Sequence, residues 1–599
     1  MLADEVSKPE DVRDRALRAG DPEPLAVLLV HLEPAEGKRL GPGTHGSSSA
    51  GSRSLVGACL RDFGTYRRAP QGCAGALGAV PAPGLALGEP LTLPVGKVSR
   101  VMATPWHRHL PSGIEPGAID LLAERSLPQA WARRWAEAPD RDLLFMEQQG
   151  WLSAGAFDRA TRAVAGRLHA AGLRRRDRVI LSAAPSVALV KAYVAALRLG
   201  LVVVPLNPGY REREVTHVVR DAEPPAAIVD DAERGAWIRR AAGNALILGP
   251  DVELPDGNVA DLDDLDAGDP ALICYTSGTT GSPKGAVLAH GNLLASAQAI
   301  RLAWRWSDND RLVLALPLFH VHGLCVGLHG TLLAGGSAVL QPRFEPDAVL
   351  SAVRRHEATL FFGVPTMYHR LARSPRVTEL GRLRLCVSGS APLAPALWER
   401  IRWESGQHVV ERYGTTETLM NTSNPYDGER RPGSVGMALP GVQVRLDGEV
   451  PGEILVAGPN VFSGYWRNAQ ATADAFDSQG WFRTGDIGRL GADGYLRIEG
   501  RVQEVIISGG FNVYPREVEE VLLTHPGVAE VSVVGTPSEE WGETVTAFVV
   551  PVDQSPEPEA LLAFAAERLA AYKRPRTVRF LNALPRNATG KVVRRELPA

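Results

Sequence analysis

Two spacings of apolar residues alternate along most of the chain after residue 128. Residues 157–171 place them at helical intervals and lead into the short apolar stretch 178–181, which reads as a buried strand. The pairing recurs at residues 348–356 and 359–362. The longest apolar run, residues 187–205, contains Lys191 and Arg198, so it predicts a buried helix over 187–199 feeding a strand over 201–205 rather than a membrane span. Helices alternating with largely buried strands predict an α/β fold of layered sheets. Beyond Gly500 the pattern changes to a smaller α+β unit, with a helix over 515–523, strands over 529–534 and 544–550, and a helix over 558–570. The division expected is a large domain over residues 102–500 and a small one over 501–599.

Composition modifies this picture mainly at the front. Residues 1–101 hold the Gly/Ser-rich segment 41–54 and the Ala/Gly/Pro-rich segment 72–96, without sustained periodicity, and predict a poorly ordered extension. Met102 opens the more ordinary sequence and is the expected functional start. Acidic residues Asp4, Glu5, Glu10 and Asp11 stand where a signal peptide needs a basic region. A net charge of −3 over 599 residues gives no reason to expect a nucleic-acid partner. The five cysteines, Cys59, Cys73, Cys274, Cys325 and Cys386, form no CxxC pair, which predicts a reducing, cytoplasmic setting and no structural zinc.

Candidate chemistry is densest at residues 275–285, YTSGTTGSPKG. Glycines let a backbone approach a phosphate closely, while the hydroxyls and Lys284 supply donors to its oxygens. It is not a Walker loop, because Pro283 precedes the lysine where that motif needs Gly. Further segments follow in order: SGSAPL from Ser388, YGTTET from Tyr413, WFRTGD ending at Asp486, Gly500-Arg501, GGFNVYP from Gly509, and PRNATGK ending at Lys591. Together these resemble the ordered signatures of the adenylate-forming superfamily of acyl-CoA synthetases, luciferases and peptide-synthetase adenylation domains, over about residues 118–599.

The resemblance implies a large domain binding ATP and the acyl group and a small mobile domain, with ATP, Mg²⁺ and coenzyme A as the reaction's small molecules. It implies that Thr276, Ser277, Gly278, Thr279, Thr280, Gly281 and Lys284 hold phosphates. Ser390, Ala391, Tyr413 and Gly414 surround adenine, Thr416 contacts the α-phosphate, and Asp486 and Arg501 serve the ribose side. Thr276 and Glu417 are the implied metal ligands, and Lys591 the catalytic cation between carboxylate and α-phosphate. Such charges act where negative charge shifts during phosphoryl transfer. Ser508, Gly509, Gly510 and Phe511 match the coenzyme A-side loop. Gln503 occupies the hinge position where relatives usually carry Asp or Lys.

The acyl pocket is the remaining question. His320 matches the family histidine that lines it, with Ser388 and Gly389 alongside; His320 and His322, two apart and without a nearby acid or cysteine, make a poor metal pair. The segments 362–370 and 411–426 look like those of malonyl-CoA synthetases, and each puts an arginine, Arg370 or Arg412, where a fatty-acid enzyme wants an apolar residue. A forked guanidinium meets a distal carboxylate with two charge-assisted hydrogen bonds. The alternative is that these arginines pair internally, with Glu411 or other acids. The expected reaction is malonate + ATP + CoA → malonyl-CoA + AMP + pyrophosphate, with methylmalonate as a second substrate. Competing readings are a ligase for medium-chain or aryl acids, a non-catalytic nucleotide-binding relative, and a peptide-synthetase module, the last disfavoured by the end of the chain eight residues past Lys591.

Overall fold

A computed structural model describes residues 105–259, 261–276, 283–587 and 591–598. The expected extension over residues 1–101 lies outside these. Two large sheets carry most of the chain up to residue 465. One has nine strands, with a parallel centre formed by Val410–Tyr413, Leu385–Ser388, Leu360–Gly363, Arg311–Leu314, Ser337–Leu340 and Asp142–Met146. The other has seven, including parallel Val202–Pro205, Arg178–Ser182, Ala226–Val229 and Leu246–Leu248. The central strands are buried on both faces, which is why they read as unbroken apolar runs. A single apolar cluster, from Leu127 to Leu496, joins the two sheets through the helices between them.

The helix Val187–Arg198 shows how the apolar run is accommodated. Every residue of it except Lys191 is buried, as befits a helix packed between layers. Arg198, the charge that argued against a membrane span, is fully buried there. It donates to Asp263 at 2.7 and 2.9 Å, to Asp158 at 2.7 Å and to Thr161 at 2.8 Å, so its charge is matched at every side. Among the described residues no helix is long and apolar enough to cross a membrane.

A third, antiparallel sheet follows, of Gln443–Asp447, Gly452–Ala457, Phe482–Leu490 and Leu496–Arg501. After Arg501 the chain builds a separate five-stranded sheet around Val528–Ser538 and Gly542–Pro551, covered by helices Pro515–Leu522 and Pro558–Ala566. It has its own core, including Ile506, Val518, Val533 and Leu561.

Two elements of this unit differ in extent from the sequence pattern. The strand expected over 529–534 runs on to Ser538, because its ladder with Gly542–Pro551 continues through Ser538↔Gly542 while its last residues are only partly buried. The helix expected to reach residue 570 stops at Ala566, where Glu567 is the C-cap; the carbonyl of Leu569 then takes a hydrogen bond from Arg574.

Candidate active site

The ends of these sheets bring the motif residues together. Strands Pro270–Thr276 and Lys284–Ala289 form an antiparallel hairpin whose last register pair is Thr276↔Lys284. The tip, with Ser277, Gly278, Thr279, Thr280 and Gly281, lies outside the described residues. Its base is braced from behind by residues that no motif announced. The Tyr275 hydroxyl donates to Asp221 at 2.5 Å, the Trp466 ring N–H donates to the Asp221 carbonyl at 3.0 Å, and the Trp466 backbone N–H donates to Gly285 at 2.7 Å. Lys284 stands 5.4 Å over the Tyr465 ring.

Tyr413 ends the strand Val410–Tyr413, and its hydroxyl donates to Asp486 at 2.6 Å. The other Asp486 oxygen lies 3.0 Å from Arg501, its cross-strand neighbour. Gly414 is required by close approach: a Cβ there would stand 1.8 Å from the Leu419 carbonyl oxygen. The chain therefore doubles back through Thr415, Thr416 and Glu417, pinned by a 2.9 Å contact between the Thr415 and Thr418 hydroxyls. Ser390 holds a left-handed backbone (φ 70°) in the loop that continues to Ala391, and its hydroxyl lies 3.2 Å from His322 Nδ1.

Glu417 accepts from the Tyr465 hydroxyl at 3.0 Å and lies close enough to Cys274 to act on its thiol, beside the strand that ends at Thr276. One carboxylate and one hydroxyl suit Mg²⁺, which takes few protein oxygens and completes its shell with phosphates and water. Thr276 and Glu417 are the residues that would hold it, and the ion would supply neutralisation of phosphate charge there.

Lys591 reaches this region from the small unit. Desolvation lowers its ammonium from the ordinary lysine range and Arg501 pushes the same way, with Asp486 and Glu504 opposing, although the side chain keeps contact with water. Gln503 occupies the short turn Val502–Glu504 between the two units. Ser508 is buried, and Gly509 and Gly510 take positive φ of 58° and 82° in the two-residue turn before Phe511. A Cβ on Gly509 would meet the Trp541 ring at 2.7 Å, while Phe511 is exposed and stacks on Tyr572. This loop lies on the small unit's sheet edge and contributes nothing to the acyl cavity below.

That cavity, of about 340 Å³, opens beside Ser390 between Leu316, Val364, Met367 and Phe344. His320 and His322 both line it, and burial followed by the field of Arg412 keeps both neutral: His320 falls to about 4 and His322 well below its usual value. Arg370 lines the rim, half exposed, 3.1 Å from Glu345 and over the Phe344 ring. Arg412 is not among the residues that line the cavity; it lies behind Gly389 and is buried, with Nε and one terminal nitrogen lacking a hydrogen-bond partner among the described residues. Burial pulls its guanidinium down to about 9. Its neighbour Glu411 faces away and accepts from the Leu393 and Gly433 N–H groups at 3.1 and 3.0 Å; burial raises its carboxyl to about 7. Ser388, at the end of its strand, also has a buried hydroxyl without a partner among the described residues. Phe344 is a cavity residue outside every motif, whereas His322, Met367, Arg586 and Asn587 stand in segments quoted above without having been assigned to the cavity.

The motif segments thus converge on one region, with Tyr413, Asp486, Arg501, Glu417 and Lys591 near the hairpin base and the cavity alongside. The chain belongs to the AMP-binding enzyme family, whose model matches residues 131–466, with the family's C-terminal domain matching 517–591. It is 37% identical over 462 residues to a feruloyl-CoA synthase from Amycolatopsis sp, covering 74% of this chain and 93% of that protein. The crystal structure of ATP-bound MatB from Rhodopseudomonas palustris superposes with a TM-score of 0.75 at 39% identity, covering 79% of this chain and 98% of that one. A malonyl-CoA ligase ternary product complex with methylmalonyl-CoA and AMP is 43% identical, with a TM-score of 0.56, over 75% of this chain and 98% of that one. The protein is an AMP-forming acid–CoA ligase that uses ATP, Mg²⁺ and coenzyme A.

Proposed function

We propose that the acid is a small one carrying a second anionic group, malonate first and methylmalonate second. One malonate carboxylate attacks the α-phosphorus of ATP, pyrophosphate leaves, and the CoA thiolate then displaces AMP from malonyl-adenylate. The reading rests on Arg412. An uncompensated buried guanidinium costs several kcal/mol, and a fold keeps one where a ligand supplies the missing charge. Glu411 is not that partner, because it is engaged with backbone N–H groups. Arg370 already has Glu345, so we read it as a rim residue that guides the acid rather than anchoring it. The likeness to the ligase solved with methylmalonyl-CoA supports the same direction.

A second reading has its own observation. The 340 Å³ cavity is walled largely by apolar residues and offers more room than a three-carbon acid fills. That favours an aryl or medium-chain acid, in line with the feruloyl-CoA synthase likeness. CoA-dependent AMP formation with malonate, methylmalonate, acetate, octanoate and ferulate side by side separates the two. Malonate is expected to exceed acetate in kcat/KM by about a hundredfold, the worth of a charge-assisted anchor. Ferulate or octanoate as the best acid would transfer the assignment to the second reading.

A further inference from the structure

The acyl cavity is not built by the large domain alone. Arg586 and Asn587, from the small unit, form part of its wall. Both belong to the hairpin that carries Lys591. The Asn587 side-chain oxygen accepts from the Lys591 N–H at 2.9 Å, and the Asn587 N–H donates to the Lys591 carbonyl at 2.9 Å. Arg586 pairs with Val592 in an antiparallel bridge, and Val593 donates to Pro585 at 2.9 Å. A side-chain ion pair at 3.0 Å between Arg586 and Glu530 ties this leg to the small unit's longest strand.

One leg of the hairpin therefore faces the acid while the other places the ammonium beside Asp486 and Arg501. We propose that Arg586 is a specificity-determining residue of the acyl cavity, supplied by the small domain, through which the fit of the acid sets the position of Lys591. The physical reason is rigidity. Two backbone-registered legs move as a unit, so an acid that crowds Arg586 displaces Lys591 with it. A displacement of about 1 Å at the reacting centre is costly, whereas the same acid bound loosely elsewhere carries no such penalty. Selection among acids then belongs to adenylation, the step that needs Lys591, and not to acyl transfer. The inference concerns how the acid is selected and does not depend on malonate being the substrate.

The test uses the full-length protein and separates the half-reactions. Acid-dependent ATP–pyrophosphate exchange reports adenylation across acetate, malonate, methylmalonate, ferulate and octanoate. Thioester formation from CoA and the chemically prepared adenylate of the best acid reports transfer. In Arg586→Ala the kcat/KM ratio between the best acid and the next larger one should shrink by about tenfold in exchange, while transfer stays within about twofold of wild type. Arg586→Met, which keeps an unbranched stem, is measured in parallel, so that a folding loss in the alanine variant leaves the ratio readable. Arg586→Lys, with charge and stem kept, should restore much of the ratio. A uniform fall for all acids with the ratio preserved overturns the proposal, as does an equal loss in both half-reactions.

Discussion

A Cβ on Gly389 would stand 2.3 Å from Nε of Arg412 and 2.5 Å from its Cζ. The glycine is therefore the space into which the buried guanidinium fits, and Gly389→Ala forces one of them to move. Arg412 is enclosed, so the shift falls on the guanidinium's aim. The expected result is a loss of about a hundredfold in kcat/KM for the anionic acid, as for other ångström-scale misplacements. The KM for ATP should change far less. Pyrophosphate exchange measures both, and unaltered acid kinetics in the variant would show that the position of Arg412 is irrelevant.

The two arginines that the sequence offered for the distal carboxylate separate on stability as well as rate. Removing an unpaired buried cation relieves the fold, so Arg412→Met should raise the thermal midpoint, corresponding to about 1–4 kcal/mol. The same variant should lose dicarboxylate activation by more than a hundredfold while acetate is spared. Arg370→Met removes only a half-exposed pair with Glu345, worth about 0–1 kcal/mol, and should lower malonate turnover several-fold at most. A melt and an acid panel on both variants decide it. Greater malonate loss in the Arg370 variant would return the anchoring role to the rim.

Why these two residues looked alike in sequence is instructive. The nucleotide motifs are legible because their chemistry is local: Gly414 must lack a side chain four residues before Thr418 closes the turn, and Thr276 and Tyr413 sit at strand ends, although Asp486, expected at one too, lies in the middle of Phe482–Leu490. The alternation of buried strands with helices was legible for the same reason, since each run records its own burial. Partners distant in sequence leave no such record. Glu345 lies 25 positions from Arg370, and nothing in either segment says that it pairs there while Glu411, adjacent to Arg412, turns away. Asp221 and Tyr465 were missed because they reach the site only through folding, and Arg586 and Asn587, though inside the motif that ends at Lys591, carried no sign that they face the acyl cavity.

Asp221 supports the phosphate hairpin from the helix Glu212–Ala222, through Tyr275 on one strand and Trp466 beside the other. Tyr275→Phe leaves the ring in place and strands the carboxylate, which should cost about 1–3 kcal/mol of stability. With the hairpin base loosened, the KM for ATP should rise several-fold and kcat should fall with it, since the loop acts on the leaving pyrophosphate. Acid KM should hold steady. Steady-state kinetics with each substrate varied in turn would reject this bracing role if acid KM alone responded.

Buried histidines give the fold a defined acid limit. Burial lowers His109, His290 and His320 to about 4 and His329 to about 3, with His322 also far down, so the folded state keeps them neutral. The unfolded chain takes up those protons below pH 6.5, so it binds more protons than the native state and stability falls as pH falls. Each such group contributes at most about 1.4 kcal/mol per pH unit until its folded value is reached. Glu411 works the other way. Its carboxyl is raised to about 7, so between pH 7 and 4.5 the native state holds a proton that the unfolded chain has released, and stability rises on acidification. One carboxyl cannot offset the histidines, and the net slope is loss. His329 is a clean probe, because it lies in the core against Trp131, 2.6 Å from the Tyr193 hydroxyl and away from the acyl cavity. The thermal midpoint should drop steeply between pH 6.5 and 5, and His329→Gln should flatten that slope by about one proton's worth. A midpoint that stays level down to pH 5 in the wild type would show that these histidines are protonated in the folded protein.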